Sequence, residues 1–325
     1  MPKRVVLHIG THKTGTKTLQ LFLHANRDQL ALNGVLIPES GRIRVDASHA
    51  TPGQHHIAID LQSHDTSEAV KQLLAEMTTR ALPLVVVSSE EFHPLHRFPQ
   101  RLAFLRDAFA EIGYATTIVI WLRRQDTYAE SLYVEYAKGG FIEPFSTFIR
   151  SITDLGYITA SETAPVMAFA YSTLLMPFLD VFGRENVMVK PYRMTTDPHG
   201  LPNAFLQIVS ALRGGLALTN LSNPSPFENA SLTFGQFIAH ILHARGEKTR
   251  EVLIPGDLVD RRIALLTHDE VLALATRFLT DNERIQREFG CRIDLPTASV
   301  IPAANDQHWD DATRNRRILD ELFGY

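Results

Sequence analysis

The stretch from Arg4 to Leu32 constrains this chain most. Arg4 to Ile9 (RVVLHI) is a short apolar run suited to a strand. Gly10 to Gly15 (GTHKTG) is a loop of Gly, Thr and Lys. Thr16 to Leu32 then places Leu19, Phe22, Leu23 and Leu30 on one helical face. A strand that enters a glycine loop and leaves as a helix is the opening of a parallel βα unit. Further apolar runs repeat the theme: Gly34 to Ile37, Leu84 to Val87, Thr116 to Leu122 and Asn186 to Val189 predict strands. Helices are expected near 55–62, 67–80, 99–112 and 127–138 between them, with a buried helix within the uncharged run Thr163 to Leu179. The alternation predicts an α/β fold with a three-layer parallel sheet flanked by helices. Beyond residue 200 the pattern is helical, at about 202–213, 230–244, 258–266 and 268–288, followed by a short amphipathic tail helix. No linker divides the chain, so one domain over 1–325 is expected, with the core sheet in about 4–190 and helical additions in about 200–325.

Composition narrows the function. The 325 residues carry 32 Lys and Arg against 36 Asp and Glu, a net charge of −4. That balance argues against a nucleic-acid binder. One cysteine, Cys291, excludes an internal disulfide and a cysteine-built zinc site. The apolar stretch after Met1 is too short for a signal peptide, and the run Thr163 to Leu179 is too short and too polar for a membrane span. A cytoplasmic protein is expected. Local charge differs from the average: Lys3, Arg4, Lys13, Lys17 and Arg27 precede the first carboxylate, Asp28, so the N-terminal loop is suited to an anion.

The loop HIGTHKTGTKT admits two readings. Backbone N–H groups and the positive end of the following helix converge on such a turn. Gly10 and Gly15 have the spacing of a nucleotide P-loop, but Thr16 follows Gly15 and Lys17 comes one position late. One residue on a helix rotates a side chain by about 100°, which takes Lys17 away from the β/γ-phosphates. In the other reading the lysine lies inside the loop, as K-T-G-T with Lys13 two residues before Gly15. This resembles the 5′-phosphosulfate loop of sulfotransferases that use 3′-phosphoadenosine 5′-phosphosulfate (PAPS). Bacterial carbohydrate-type members are especially similar, with loops close to GTHKTGTTSLQ where this chain has GTHKTGTKTLQ. The departure is Lys17, where the family usually has a second Thr or Ser.

The resemblance implies a P-loop-like sulfotransferase fold and a set of roles. Thr11, His12, Lys13, Thr14, Gly15, Thr16, Lys17 and Thr18 would surround the phosphosulfate of PAPS, with Lys13 on the bridging oxygen. The stretch IVIWLRRQDTYAESLY resembles the family's 3′-phosphate segment, which gives Arg123 and Ser131 to that phosphate. Arg124 competes with Arg123 or turns to the acceptor. ENVMVKPYRM resembles the late strand whose tyrosine lies beside adenine, here Tyr192, followed by Arg193 where the family often has Glu. ENASLTFGQF resembles its Asn-x-Ser-Leu segment, Asn229 and Ser231, which an ordinary helix cap explains as well.

Sulfuryl transfer to a hydroxyl needs a base. The family places a His or Glu at the end of a central strand. Here LVVVSSEEFHPLH offers Glu90 first and Glu91 second, with His12 as an acid/base rival. The paired histidines His55 and His56 fall where the family often has acceptor-pocket histidines, and an exposed loop pair is the plain alternative. His93 and His96 are three apart, but Pro94 intervenes and no HExxH occurs, so no metal is expected at the site or for the reaction. The implied partner is a small-molecule or glycan acceptor, a saccharide or glycolipid. Two other functions fit parts of the pattern: a small-molecule kinase using Mg-ATP on a displaced P-loop, and a non-catalytic nucleotide-binding scaffold. Neither the acceptor nor an oligomeric state is written in these motifs.

Overall fold

The computed structural model describes residues 2–46, 49–141, 143–159, 166–192, 200–222, 232–247, 254–293 and 307–324. In chain order the elements are β1 (Lys3–His8), α1 (Thr16–Ala25), α2 (Arg27–Leu32), β2 (Val35–Leu36), α3 (His55–Ser63), α4 (Glu68–Arg80), β3 (Leu84–Ser88), a 3₁₀ segment (Glu90–Arg97), α5 (Pro99–Glu111), β4 (Tyr114–Leu122), α6 (Gln125–Lys138), α7 (Phe145–Leu155), β5 (Tyr157–Ile158), β6 (Met167–Ala168), α8 (Tyr171–Phe182), β7 (Val187–Pro191), α9 (Gly200–Leu212), α10 (Phe234–Ala244), α11 (Gly256–Val259), α12 (His268–Phe289) and α13 (Gln307–Phe323). Two compact units emerge. The first comprises Met1–Leu122 and Ser172–Glu228, the second Arg123–Tyr171 and Asn229–Tyr325.

The first unit is built on a five-stranded sheet in the order β2-β3-β1-β4-β7, parallel throughout. Val6 pairs with Val86 and Thr117, so β1 lies at the centre. Side chains alternate between faces. Val6, Leu84, Val86, Val119 and Trp121 pack one face against Leu19, Phe22 and Leu23 of α1 and Phe205 and Val209 of α9. The intervening Val5, Leu7, Val85, Val87, Ile118 and Ile120 are buried too, which is why these strands read as unbroken apolar runs. In such sheets the loops at the carboxyl ends of the central strands form the crevice that receives ligands. Residues 9–15 follow β1 and Ser89–Glu90 follow β3.

The second unit is helical, with the two-stranded antiparallel ribbon β5-β6. Its core gathers Tyr128, Tyr133, Phe145, Phe148, Phe169, Phe237 and Phe278. Gln125 and Asn282 exchange two amide hydrogen bonds in its interior, 2.8 and 3.1 Å. Among the described residues, no helix is long and apolar enough to cross a membrane.

All five predicted strands are present, and four features differ from the expected pattern. The helix expected over 16–32 breaks at Asn26, whose side chain donates to Phe22 O and Ser222 O and accepts from Ser222 N. An Asn that can satisfy backbone groups in this way competes with the helix. Residues 258–266 are helical only to Val259. In the uncharged run 163–179, of which 163–165 lie outside the described residues, Met167–Ala168 forms β6 and the helix begins at Tyr171. Finally, α7 occupies a stretch for which no helix was expected. Phe145, Phe148, Ile149 and Ile152 form its buried stripe and Gly156, at φ 78°, ends it.

Candidate active site

The first loop is held by its backbone conformation. Gly10, Lys13 and Gly15 have φ of 44°, 64° and 75°. Glycine adopts the left-handed region freely, whereas Lys13 does so at a cost of about 1 kcal/mol or more. A Cβ on Gly10 would lie 3.0 Å from Thr16 Oγ1 and 3.5 Å from Glu90 Cβ, so the turn folds tightly onto both residues. Thr11 donates to Trp121 O at 3.2 Å and Thr14 to Thr11 O at 2.6 Å. These two hydroxyls, expected to face a phosphate, hold the loop together.

What remains is suited to an anion. Helix α1 starts after Gly15 with no side-chain cap and no acidic residue in its first turn. That terminus therefore brings no carboxylate of its own to offset the helix dipole. Thr16 Oγ1 and His12 Nδ1 are buried with no hydrogen-bond partner among the described residues, an expensive state unless a ligand completes them. Lys13 is half-buried in the turn, Thr18 is half-buried, and Lys17 is exposed. Tyr192, just past β7, stands against the same loop: a Cβ on Gly15 would lie 3.5 Å from its Cε2 and Oη.

The two candidate bases have different surroundings. Ser89 is extended and its Oγ accepts from Glu91 N at 3.1 Å, which starts the 3₁₀ segment. Glu90 accepts from Gln20 Nε2 at 2.9 Å through Oε2, and His55 Nδ1 is 3.7 Å from the same oxygen. His55 also meets Ser89 Oγ at 2.9 Å. Glu91 Oε1 is 3.5 Å from His12 Nε2. Burial pushes the Glu91 carboxyl up, but hydrogen bonding and charge from His12, with His55 and Gln62, hold it below the ordinary glutamate value. A carboxylate stabilised in this way is a weaker base than an ordinary glutamate. His55 and His56 diverge on α3: the first faces Ser89 and Glu90, the second is exposed.

Behind the carboxylates, His93 and His96 are buried. Their rings are 5.8 Å apart, and His93 is 6.2 Å from the His12 ring. Burial lowers the basicity of both. Among the described residues, no group of three or more His, Cys, Asp or Glu side chains is placed to hold a metal ion.

Sequence reasoning missed Gly53 and Gln54, which buttress this region. Gln54 Oε1 accepts from Ser88 N at 2.9 Å, and Gln54 N donates to Ser88 O at 3.0 Å. A Cβ on Gly53 would lie 2.5 Å from Gln20 Cδ and 2.8 Å from Ser88 O. Gly53→Ala is therefore expected to lower stability by about 1–3 kcal/mol through overpacking, seen as a fall in denaturation midpoint; an unchanged midpoint would show that the segment yields.

In the second unit, Arg123 and Arg124 are held differently. Arg123 Nε donates to Thr127 Oγ1 at 3.2 Å, and Tyr171 donates its hydroxyl to Arg123 O. Arg124 Nε is 2.7 Å from Asp126 Oδ1, a carboxylate only 4% exposed. The guanidinium of Arg124 is thus spent on a buried acid. Ser131 is half-buried two turns into α6. Thr127, which also donates to Arg124 O at 3.0 Å, was not anticipated; a hydroxyl one turn after the arginine was its only signal. Arg193, Asn229 and Ser231 lie outside the described residues.

Neither a protein-family model nor a curated protein matches the chain. A solved structure that does match is the sulfotransferase from Alicyclobacillus acidocaldarius, at 14% identity and a TM-score of 0.48, covering 90% of this chain and 98% of that one.

Proposed function

We propose that this protein is a sulfotransferase that moves a sulfuryl group from PAPS to an acceptor hydroxyl of a saccharide or glycolipid. One observation carries the reading: Glu90 packs its Cα and Cβ against Gly10 of an anion-suited loop whose lysine, Lys13, lies inside the turn. The buried, unpartnered Thr16 Oγ1 can donate to a ligand rich in acceptor oxygens.

When bound, PAPS supplies the sulfuryl group, its S–O bond to the 5′-phosphate breaking as the acceptor oxygen bonds to sulfur. The protein's part is to take a proton and to balance charge. Glu90 takes the acceptor's hydroxyl proton. Glu91, pinned by His12, is kept anionic and orients that ring. Lys13 and the first turn of α1 meet the negative charge that grows on the phosphate oxygen. Arg123, positioned by Thr127, and Ser131 are assigned to the 3′-phosphate, and Tyr192 to the adenine. Arg124 is paired with the buried carboxylate of Asp126 and stays second to Arg123 in this assignment. His55, 3.7 Å from Glu90 Oε2, is assigned to the acceptor. No step calls for a metal, because Lys13 and the helix terminus supply positive charge.

The test is a screen of saccharide and glycolipid acceptors with sulfur-labelled PAPS, with and without chelator. Labelled product formed equally in chelator is expected. Transfer of phosphate from Mg-ATP instead would replace this reading with the kinase one.

A further inference from the structure

Gln20 is a buried polar side chain on the apolar face of α1. It is 2% exposed and sits beside Leu19, Phe22 and Leu23, which are packed in the core. An amide in such a place is costly unless its hydrogen bonds are made. Its Nε2 donates to Ser88 O at 3.3 Å and to Glu90 Oε2 at 2.9 Å, so one amide ties the end of β3 to the carboxylate that follows it. The amide is fixed from behind, since the Gly53 backbone passes so close that a Cβ there would lie 2.6 Å from Nε2. Gln54 holds both Ser88 N and Ser88 O. The result is an asymmetric carboxylate: Oε2 is anchored, while Oε1 has no hydrogen-bond partner among the described residues.

Resting on the sulfotransferase reading, we propose that Gln20 is a positioning residue for Glu90, which fixes Oε2 so that Oε1 is presented as the proton acceptor. Gln20 touches neither donor nor acceptor in this account; it acts through the carboxylate. The other charged and titratable groups around Glu90 are His55 on α3, Glu91 next in sequence, and His12 on Glu91.

Carbon-detected NMR of the glutamate carboxyls at neutral pH, with the Glu90 signal identified from Glu90→Gln, tests this without an acceptor. In Gln20→Met the Glu90 carboxyl signal is expected to move and broaden as Oε2 loses its anchor. The change should persist in a His55→Asn background. In the unmutated protein one Gln20 side-chain amide proton should lie downfield, as a charge-assisted hydrogen bond requires, and move upfield in Glu90→Gln, a readout that needs no Gln20 variant to fold. An unmoved Glu90 signal, or Gln20 amide protons blind to the Glu90 substitution, would overturn the proposal. Once an acceptor is found, Gln20→Met should lower kcat about tenfold with the KM for PAPS unchanged. Failure of the unmutated protein to bind adenosine 3′,5′-bisphosphate would instead sink the sulfotransferase reading, and the carboxyl signals would still report on Gln20.

Discussion

Replacing Lys13 by alanine is expected to lower the rate of sulfuryl transfer by about 10³-fold, the scale seen when a preorganised charge-stabilising group is removed from an active site. The fold should survive. Lys13 is only half-buried, and its left-handed backbone, φ 64°, costs alanine as much as it costs lysine. Kinetics should therefore separate from stability: kcat/KM collapses and the thermal midpoint stays within about 2 °C. Lys17→Ala, one turn position away and exposed, should change the rate far less. The opposite order, with Lys17 the more damaging loss, would return the loop to the P-loop class.

Glu90→Gln should cost about 10²–10⁴-fold in kcat, the usual contribution of a positioned general base, while affinity for adenosine 3′,5′-bisphosphate changes little. The amide keeps the size of the side chain and can still accept from Gln20, so the geometry of the loop is retained. Glu91→Gln should act by a different route. Its carboxylate is paired with His12, so its loss frees a ring in the donor loop and should appear in donor affinity as much as in turnover. If Glu91→Gln removes turnover and Glu90→Gln does not, the base has been misassigned.

The sheet was legible because its strands are buried on both faces, and runs such as Leu84–Val87 and Thr116–Leu122 leave no other reading. The loop was legible because glycine and a strand-to-helix switch fix its conformation locally. Asn26 shows where local reading stops. The apolar stripe runs across it from Phe22 to Leu30, and the break comes from a partner, Ser222, that is 196 residues away. α7 shows the reverse: its apolar stripe and its end signals, Pro144 and Gly156, were present in the sequence but went unread.

Within the site, the sequence nominated Glu90 first and Glu91 second, but the surroundings of the two carboxylates were not legible in it. Adjacent residues share every local property, and what separates them is tertiary: Gln20 and His55 on one, His12 on the other. Gln20 was hidden for the same reason. A polar residue among Leu19, Phe22 and Leu23 reads as tolerated, until the chain brings Gly53 and Ser88 against it. The distinction between Arg123 and Arg124 likewise depended on seeing which guanidinium the buried Asp126 takes.

The central claim is that the first loop holds a phosphosulfate donor and not a magnesium nucleotide. Calorimetric titration of the purified protein with adenosine 3′,5′-bisphosphate in chelator, and separately with ATP and magnesium, tests it most directly. The account predicts saturable binding of the bisphosphate without metal, lost in Lys13→Ala and weakened in Arg123→Ala, and little or no binding of Mg-ATP. Tight binding of Mg-ATP with none of the bisphosphate would contradict it.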